Sequence, residues 1–137
     1  MRTVELTRQI DASPPVVDRA LDPASIVEYE GSFEVFEVER REDDWLVVAG
    51  GSGLRLTLRF EERENGFFYE QEAAEGQPLD AMETTITYRQ EGNGTRVTAV
   101  SEVSMGVRPT AITDRLAAWK RNGELERALD ALAAEVE

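Results

Sequence analysis

Residues 108–137 read RPTAITDRLAAWKRNGELERALDALAAEVE, and this stretch decides the fold. Ile112, Leu116 and Trp119, then after an interruption Leu125, Leu129, Leu132 and Val136, recur at three- and four-residue steps. That spacing predicts one long amphipathic helix with an apolar side turned to a partner layer. Asp114, Arg115, Lys120, Arg121, Glu124, Glu126, Arg127 and Asp130 fall largely elsewhere on the wheel and are expected in water. Thr110 is the predicted N-cap, its hydroxyl accepting from a first-turn N–H, and Asp114 sits near the positive end of the helix dipole. A mid-helix glycine costs roughly 1 kcal/mol relative to alanine. Asn122-Gly123 therefore predicts a kink, a close approach to the sheet, or two helices in series.

The chain before this helix supplies the partner layer. Val4, Leu6 and Ile10 alternate with Glu5, Thr7 and Gln9, the period of a half-buried strand. Arg8 interrupts the apolar row; it either snorkels or pairs with a carboxylate at the sheet's end, or places a cation in a pocket. Ser13-Pro14 and Asp22-Pro23 each put a capping side chain before a proline, so two short helices are expected, the second over Pro23 to Glu28. A meander follows: Phe33 to Arg40 with a bulge at Val35-Phe36, a charged turn Arg41 to Asp44, Trp45 to Ala49, and a turn at Gly50-Gly51-Ser52-Gly53. Then come a strand from Leu54 through Phe60, an Asn65-Gly66 hairpin, Phe67 to Ala73, a loop Ala74 to Pro78, and Ala81 to Arg89. A Gly92-Asn93-Gly94 turn leads into Thr95 to Met105. Consecutive hairpins predict an antiparallel sheet of six or seven strands with the helices on one face, an α+β architecture.

A chain of 137 residues is one domain's length and can bury roughly two-thirds of its unfolded surface. There is no Cys and no His, which excludes thiolate and Ser-His-Asp chemistry and zinc–sulfur sites. No D-x-D-x-D-G loop offers a Mg²⁺ or Ca²⁺ site, and Gly51-Ser52-Gly53 lacks the rest of a dinucleotide or phosphate loop, so no cofactor and no metal are expected. Net charge is -13, and Lys120 is the only lysine. Such a surface repels nucleic acid and anionic membranes. The acid-rich, lysine-poor composition resembles the proteomes of halophilic archaea, where salt screens self-repulsion. Met1 to Ile10 lacks the charged region and apolar run of a secretory signal, and no apolar run is long enough to span a bilayer. The expectation is a cytoplasmic monomer or homodimer.

The order of elements resembles the START/Bet v 1-like superfamily, also called SRPBCC or polyketide cyclase/dehydrase-like proteins. Gln9 to Val17 looks like that family's opening strand running into a Ser-Pro-capped helix. Leu21-Asp22-Pro23 looks like its step into the second short helix, and the hairpin before Thr95-Arg96-Val97-Thr98 like its last turn and strand. The resemblance covers residues 1–137 as a single domain. It implies a helix-grip fold, a curved antiparallel sheet wrapped around the C-terminal helix, with an apolar space between them that takes lipids, polyketides or other hydrophobic molecules.

On that arrangement the candidate ligand-binding residues are Leu56, Leu58, Tyr69, Met82, Thr84, Ile86, Tyr88, Ser101, Val103 and Met105 from the sheet, and Ile112, Leu116 and Trp119 from the helix. Apolar walls with a few hydroxyls suit a small-molecule site; a filled core has the same one-dimensional pattern. Trp119 is either a buried anchor whose indole N–H needs a partner or a wall of the site. The expected function is binding of a hydrophobic small molecule. The alternatives are a cyclase-, dehydratase- or hydrolase-type enzyme using a buried carboxylate and a tyrosine, or a chaperone-co-factor-like interaction module. Glu70 with Glu72, and Glu37 with Glu39, are carboxylate pairs expected on the solvated surface.

Overall fold

A computed structural model of the chain describes residues 1–51, 53–72, 81–104 and 110–137, Thr110 by its backbone only. Strand β1 (Arg2–Ile10) is followed by helices α1 (Pro14–Ala20) and α2 (Pro23–Glu30). Six strands follow: β2 (Glu34–Arg40), β3 (Trp45–Gly51), β4 (Leu54–Arg63), β5 (Gly66–Gln71), β6 (Ala81–Glu91) and β7 (Gly94–Ser104). Helix α3 (Thr110–Val136) ends the chain. The strands form one antiparallel sheet in the order β1-β7-β6-β5-β4-β3-β2. From β2 to β7 each strand pairs with the next in sequence, and β1 joins the sheet beside β7. α3 packs on β1 and β7 and against α1 and α2. This is the helix-grip fold. The expected loop Ala74 to Pro78, together with Ser52, Met105 and the Thr110 cap, lies outside the described residues.

Local chemistry sets the punctuation. The Asp22 carboxylate accepts from Ser25 N at 2.9 Å, so Asp22 caps α2. Ser13 has the extended backbone of a cap but makes no side-chain cap bond. Gly31, at φ 77°, closes α2, and Arg127 Nε donates to the Glu30 carbonyl at 2.9 Å, satisfying an end-of-helix acceptor. Asn65 (φ 59°) and Gly66 (φ 156°) turn β4 into β5. The register slips between Val35 and Glu37, which is the expected bulge.

The core lies between the sheet and the helices. Trp45, Phe67, Phe60 and Tyr69 form an aromatic file, with Phe60 stacked on Tyr69 at 4.5 Å and edge-on to Phe67 at 6.4 Å. Val17, Leu21, Ile26 and Val27 of the α1–α2 segment close it. Arg8 pairs with Asp130 of α3, as the carboxylate reading of that residue required.

Helix α3 differs from its sequence reading in two ways. It runs unbroken through Asn122-Gly123 as 27 residues. A Cβ at Gly123 would meet only Arg127 Nη1 at 3.6 Å, so no close approach to the sheet explains this glycine. Its buried side carries Asp114, Ala117, Arg121, Glu124, Leu125, Ala128, Leu129, Leu132 and Ala133. Leu125, Leu129 and Leu132 face in as expected, whereas Ile112, Leu116 and Trp119 are 60%, 60% and 78% exposed. The reason is phase. The six-residue step from Trp119 to Leu125 turns the helix by about 240°, so the two apolar runs cannot share a side. Asp114, Arg121 and Glu124, expected in water, take the inward positions.

Candidate functional site

Tyr69, Thr84 and Ser101 are opposite one another across β5, β6 and β7, so all three point to the helix-covered face. Arg121 descends onto this row from α3. Its Nε donates to Ser101 Oγ at 3.1 Å, and its Nη2 donates to Thr84 Oγ1 at 2.8 Å and Tyr69 OH at 2.9 Å. Glu30, the last residue of α2, accepts from Nη1 at 2.7 Å and Nη2 at 3.0 Å, a two-pronged pair. Glu124, one turn along α3, accepts from Nη1 at 3.2 Å and also from Ser32 Oγ. The Tyr69 hydroxyl donates to Glu30 Oε2. Thr84 and Ser101 share a hydrogen bond at 2.8 Å.

All members of this network except Ser32 are buried. Burial and the Glu30 carboxylate push the Tyr69 phenol well above its ordinary range, against the pull of Arg121. Burial alone would lower the Arg121 guanidinium, but Glu30, Tyr69 and Glu124 outweigh it and hold Arg121 well above its ordinary value. Tyr69 is therefore a hydrogen-bond donor and Arg121 a fixed cation. A guanidinium has five N–H groups, and each of the three nitrogens is engaged here, so none is left over for a ligand. Glu30 meets the geometric requirement of the enzyme alternative, a buried carboxylate against a tyrosine hydroxyl. The same carboxylate is clamped by Arg121 on both oxygens, and a proton transfer at Glu30 would have to break that pair.

The other candidate residues divide in two. Leu58, Met82, Ile86 and Val103 are buried on the same face as the network, while Leu56 and Tyr88 are half-buried. Tyr88 donates to Asp18 Oδ1 at 2.7 Å, and its phenol is pushed up to about 12 by burial and that carboxylate. Met105 lies outside the described residues. The expectation that Ile112, Leu116 and Trp119 face the sheet is corrected: they stand on the water-facing side of α3. Leu116 lies one turn before Lys120, whose ammonium sits 5.8 Å over the Phe33 ring, so that flank of the helix looks toward the start of β2.

Sequence reasoning misses Arg121, Glu30 and Glu124 because charged side chains are expected outside. A signal is present: Arg121 and Glu124 are in helical phase with Ala117, Leu125 and Ala128. The pair Glu70 and Glu72 lies on the outer face as expected, 3.2 Å and 4.0 Å from Arg59. Among the described residues no group of acids is arranged to hold a metal ion. No described helix is long and apolar enough to cross a membrane.

No protein-family model and no curated protein sequence matches the chain. Solved structures do. TTHA0849 from Thermus thermophilus is similar over 98% of this chain and 97% of its own, at 23% identity and TM-score 0.73. A START superfamily protein from Mycobacterium smegmatis matches over 98% and 96%, at 15% identity and TM-score 0.68. The di-domain ARO/CYC BexL from the BE-7585A biosynthetic pathway matches 93% of this chain with 45% of its own, at 21% identity and TM-score 0.66. These likenesses establish a shared fold.

Proposed function

We propose that this protein is a START/Bet v 1-like domain over residues 1–137 that binds a hydrophobic small molecule against the first turns of α3. The observation that carries the reading is the exposure of Trp119, Leu116 and Ile112, at 78%, 60% and 60%, in a helix whose opposite side is fixed by a buried ion network. Large apolar side chains held in water gain roughly 25 cal/mol for each Å² that a ligand covers. The antiparallel register brings Leu56 of β4, Met82 of β6 and Val103 of β7 to the end of the sheet from which the chain passes to α3. These residues, with Leu58, lie on the helix-covered face of the sheet, across α3 from the exposed side chains, and support the helix rather than line the site. Tyr69, Thr84, Ser101 and Arg121, on the same covered face, fix the height of the helix and do not contact the ligand. The helix-grip fold shared with a START superfamily protein and an ARO/CYC protein supports the reading.

Native mass spectrometry with a panel of apolar probes tests it, read beside tryptophan emission. The expected result is uptake of one probe per chain with a blue shift, and about tenfold weaker uptake in W119A, since buried aromatic contacts dominate such sites. Absence of uptake by every probe overturns the small-molecule reading. In that case the same exposed side chains serve an interaction module of the chaperone-co-factor kind. The setting we propose is a salt-rich cytoplasm, in keeping with the net charge of -13.

A further inference from the structure

Over residues 111–122 the exposed part of α3 carries cations and no acid. At about 100° per residue, the arc Trp119, Ile112, Leu116 runs between Arg115 on one flank and Lys120 on the other. Both cations are exposed. Among the described residues neither forms an ion pair, and Lys120 lies over the Phe33 ring. Asp114 is turned inward, where Ser104 Oγ donates to it at 3.3 Å, and Arg121 is committed to Glu30. Over residues 111–122 every exposed ionisable side chain is therefore cationic, in a chain of net charge -13. The first exposed acid on the helix is Glu126, about two turns beyond Trp119.

We infer that the ligand is an anionic amphiphile, a single acyl chain ending in a carboxylate. The inference rests on small-molecule binding at α3. The acyl chain lies along Ile112, Leu116 and Trp119, and the carboxylate sits at the cationic margin made by Arg115 and Lys120. A monomer fits this pattern better than a membrane surface. Local cations attract one small anion, whereas an anionic bilayer also meets the remaining acidic surface within a Debye length of about 8 Å.

The test compares dodecanoate, 1-dodecanol and dodecylamine at pH 8 in dilute buffer, by native mass spectrometry and titration of tryptophan emission. Dodecanoate is expected to bind about tenfold more tightly than the alcohol, the combined effect of two rim charges. R115Q/K120Q should reduce that preference to within about twofold. R63Q, which removes one positive charge away from the site, should leave the preference intact. An alcohol that binds as tightly as the acid, or an amine that binds more tightly, overturns the anionic class and leaves small-molecule binding standing. Retention of none of the three overturns the small-molecule reading itself. Co-sedimentation with phosphatidylglycerol vesicles without uptake of monomers also overturns the inference, in favour of a membrane surface.

Discussion

Arg121 shows how one side chain can hold a layer together. It bridges α3 to β5, β6 and β7 directly and to α2 through Glu30. Removing it leaves two buried carboxyls without their cation, so R121M is expected to destabilise the fold by about 3–5 kcal/mol. Chemical denaturation with an unchanged slope checks this. The tyrosines give a pH signature. Tyr88 is pushed up to about 12, and Tyr69 moves in the same direction. A phenol whose folded pKa lies above its unfolded value binds the proton more tightly when folded. Its stabilising contribution is complete below the ordinary value of 10.0 and is lost as pH rises through about 12. The melting temperature should fall above pH 10, and the gap between wild type and Y88F should shrink over the same interval.

At the scale of elements, two glycines make opposite predictions. At Gly66, φ is 156° and a Cβ would lie 1.9 Å from the Ile86 carbonyl oxygen. G66A should therefore disrupt the β4–β5 hairpin and its pairing to β6, with a loss of the size seen when backbone strain and overpacking combine, about 3 kcal/mol or more. At Gly123 a Cβ has room, and G123A should stabilise α3 by about 0.4–1 kcal/mol. Thermal melts of both variants separate the cases. The succession of hairpins from β2 to β7, the Asn65-Gly66 turn, the Asp22 cap and the Val35 bulge were legible in the sequence because each depends on neighbours near in the chain. The pairing of β1 with β7, by contrast, joins distant segments and carries no local signal. The phase of α3 was not legible either. Ile112, Leu116 and Trp119 make as good a stripe as Leu125, Leu129 and Leu132, and only the rotation between the two runs shows that one must face water. Glu30 was illegible for a different reason: its partners Arg121 and Tyr69 are distant in sequence, and a lone glutamate at a helix end carries no mark of burial.

For the molecule as a whole, the surplus of acids sets the response to solvent. Self-repulsion at net charge -13 opposes compaction and is screened by ions. The melting temperature is expected to rise markedly between dilute buffer and molar KCl, and a flat midpoint would remove the argument for a saline habitat. The sheet has two lateral borders, β1 and β2. β2 carries Glu34, Glu37 and Glu39 beside the exposed Phe36 and Val38, with its irregular register at Val35. An approaching strand would find mismatched hydrogen-bond spacing and a line of like charges, so this border discourages runaway stacking of chains into fibrils. Concentrated salt, by screening those like charges, weakens one of the two safeguards and leaves the bend to keep neighbours apart.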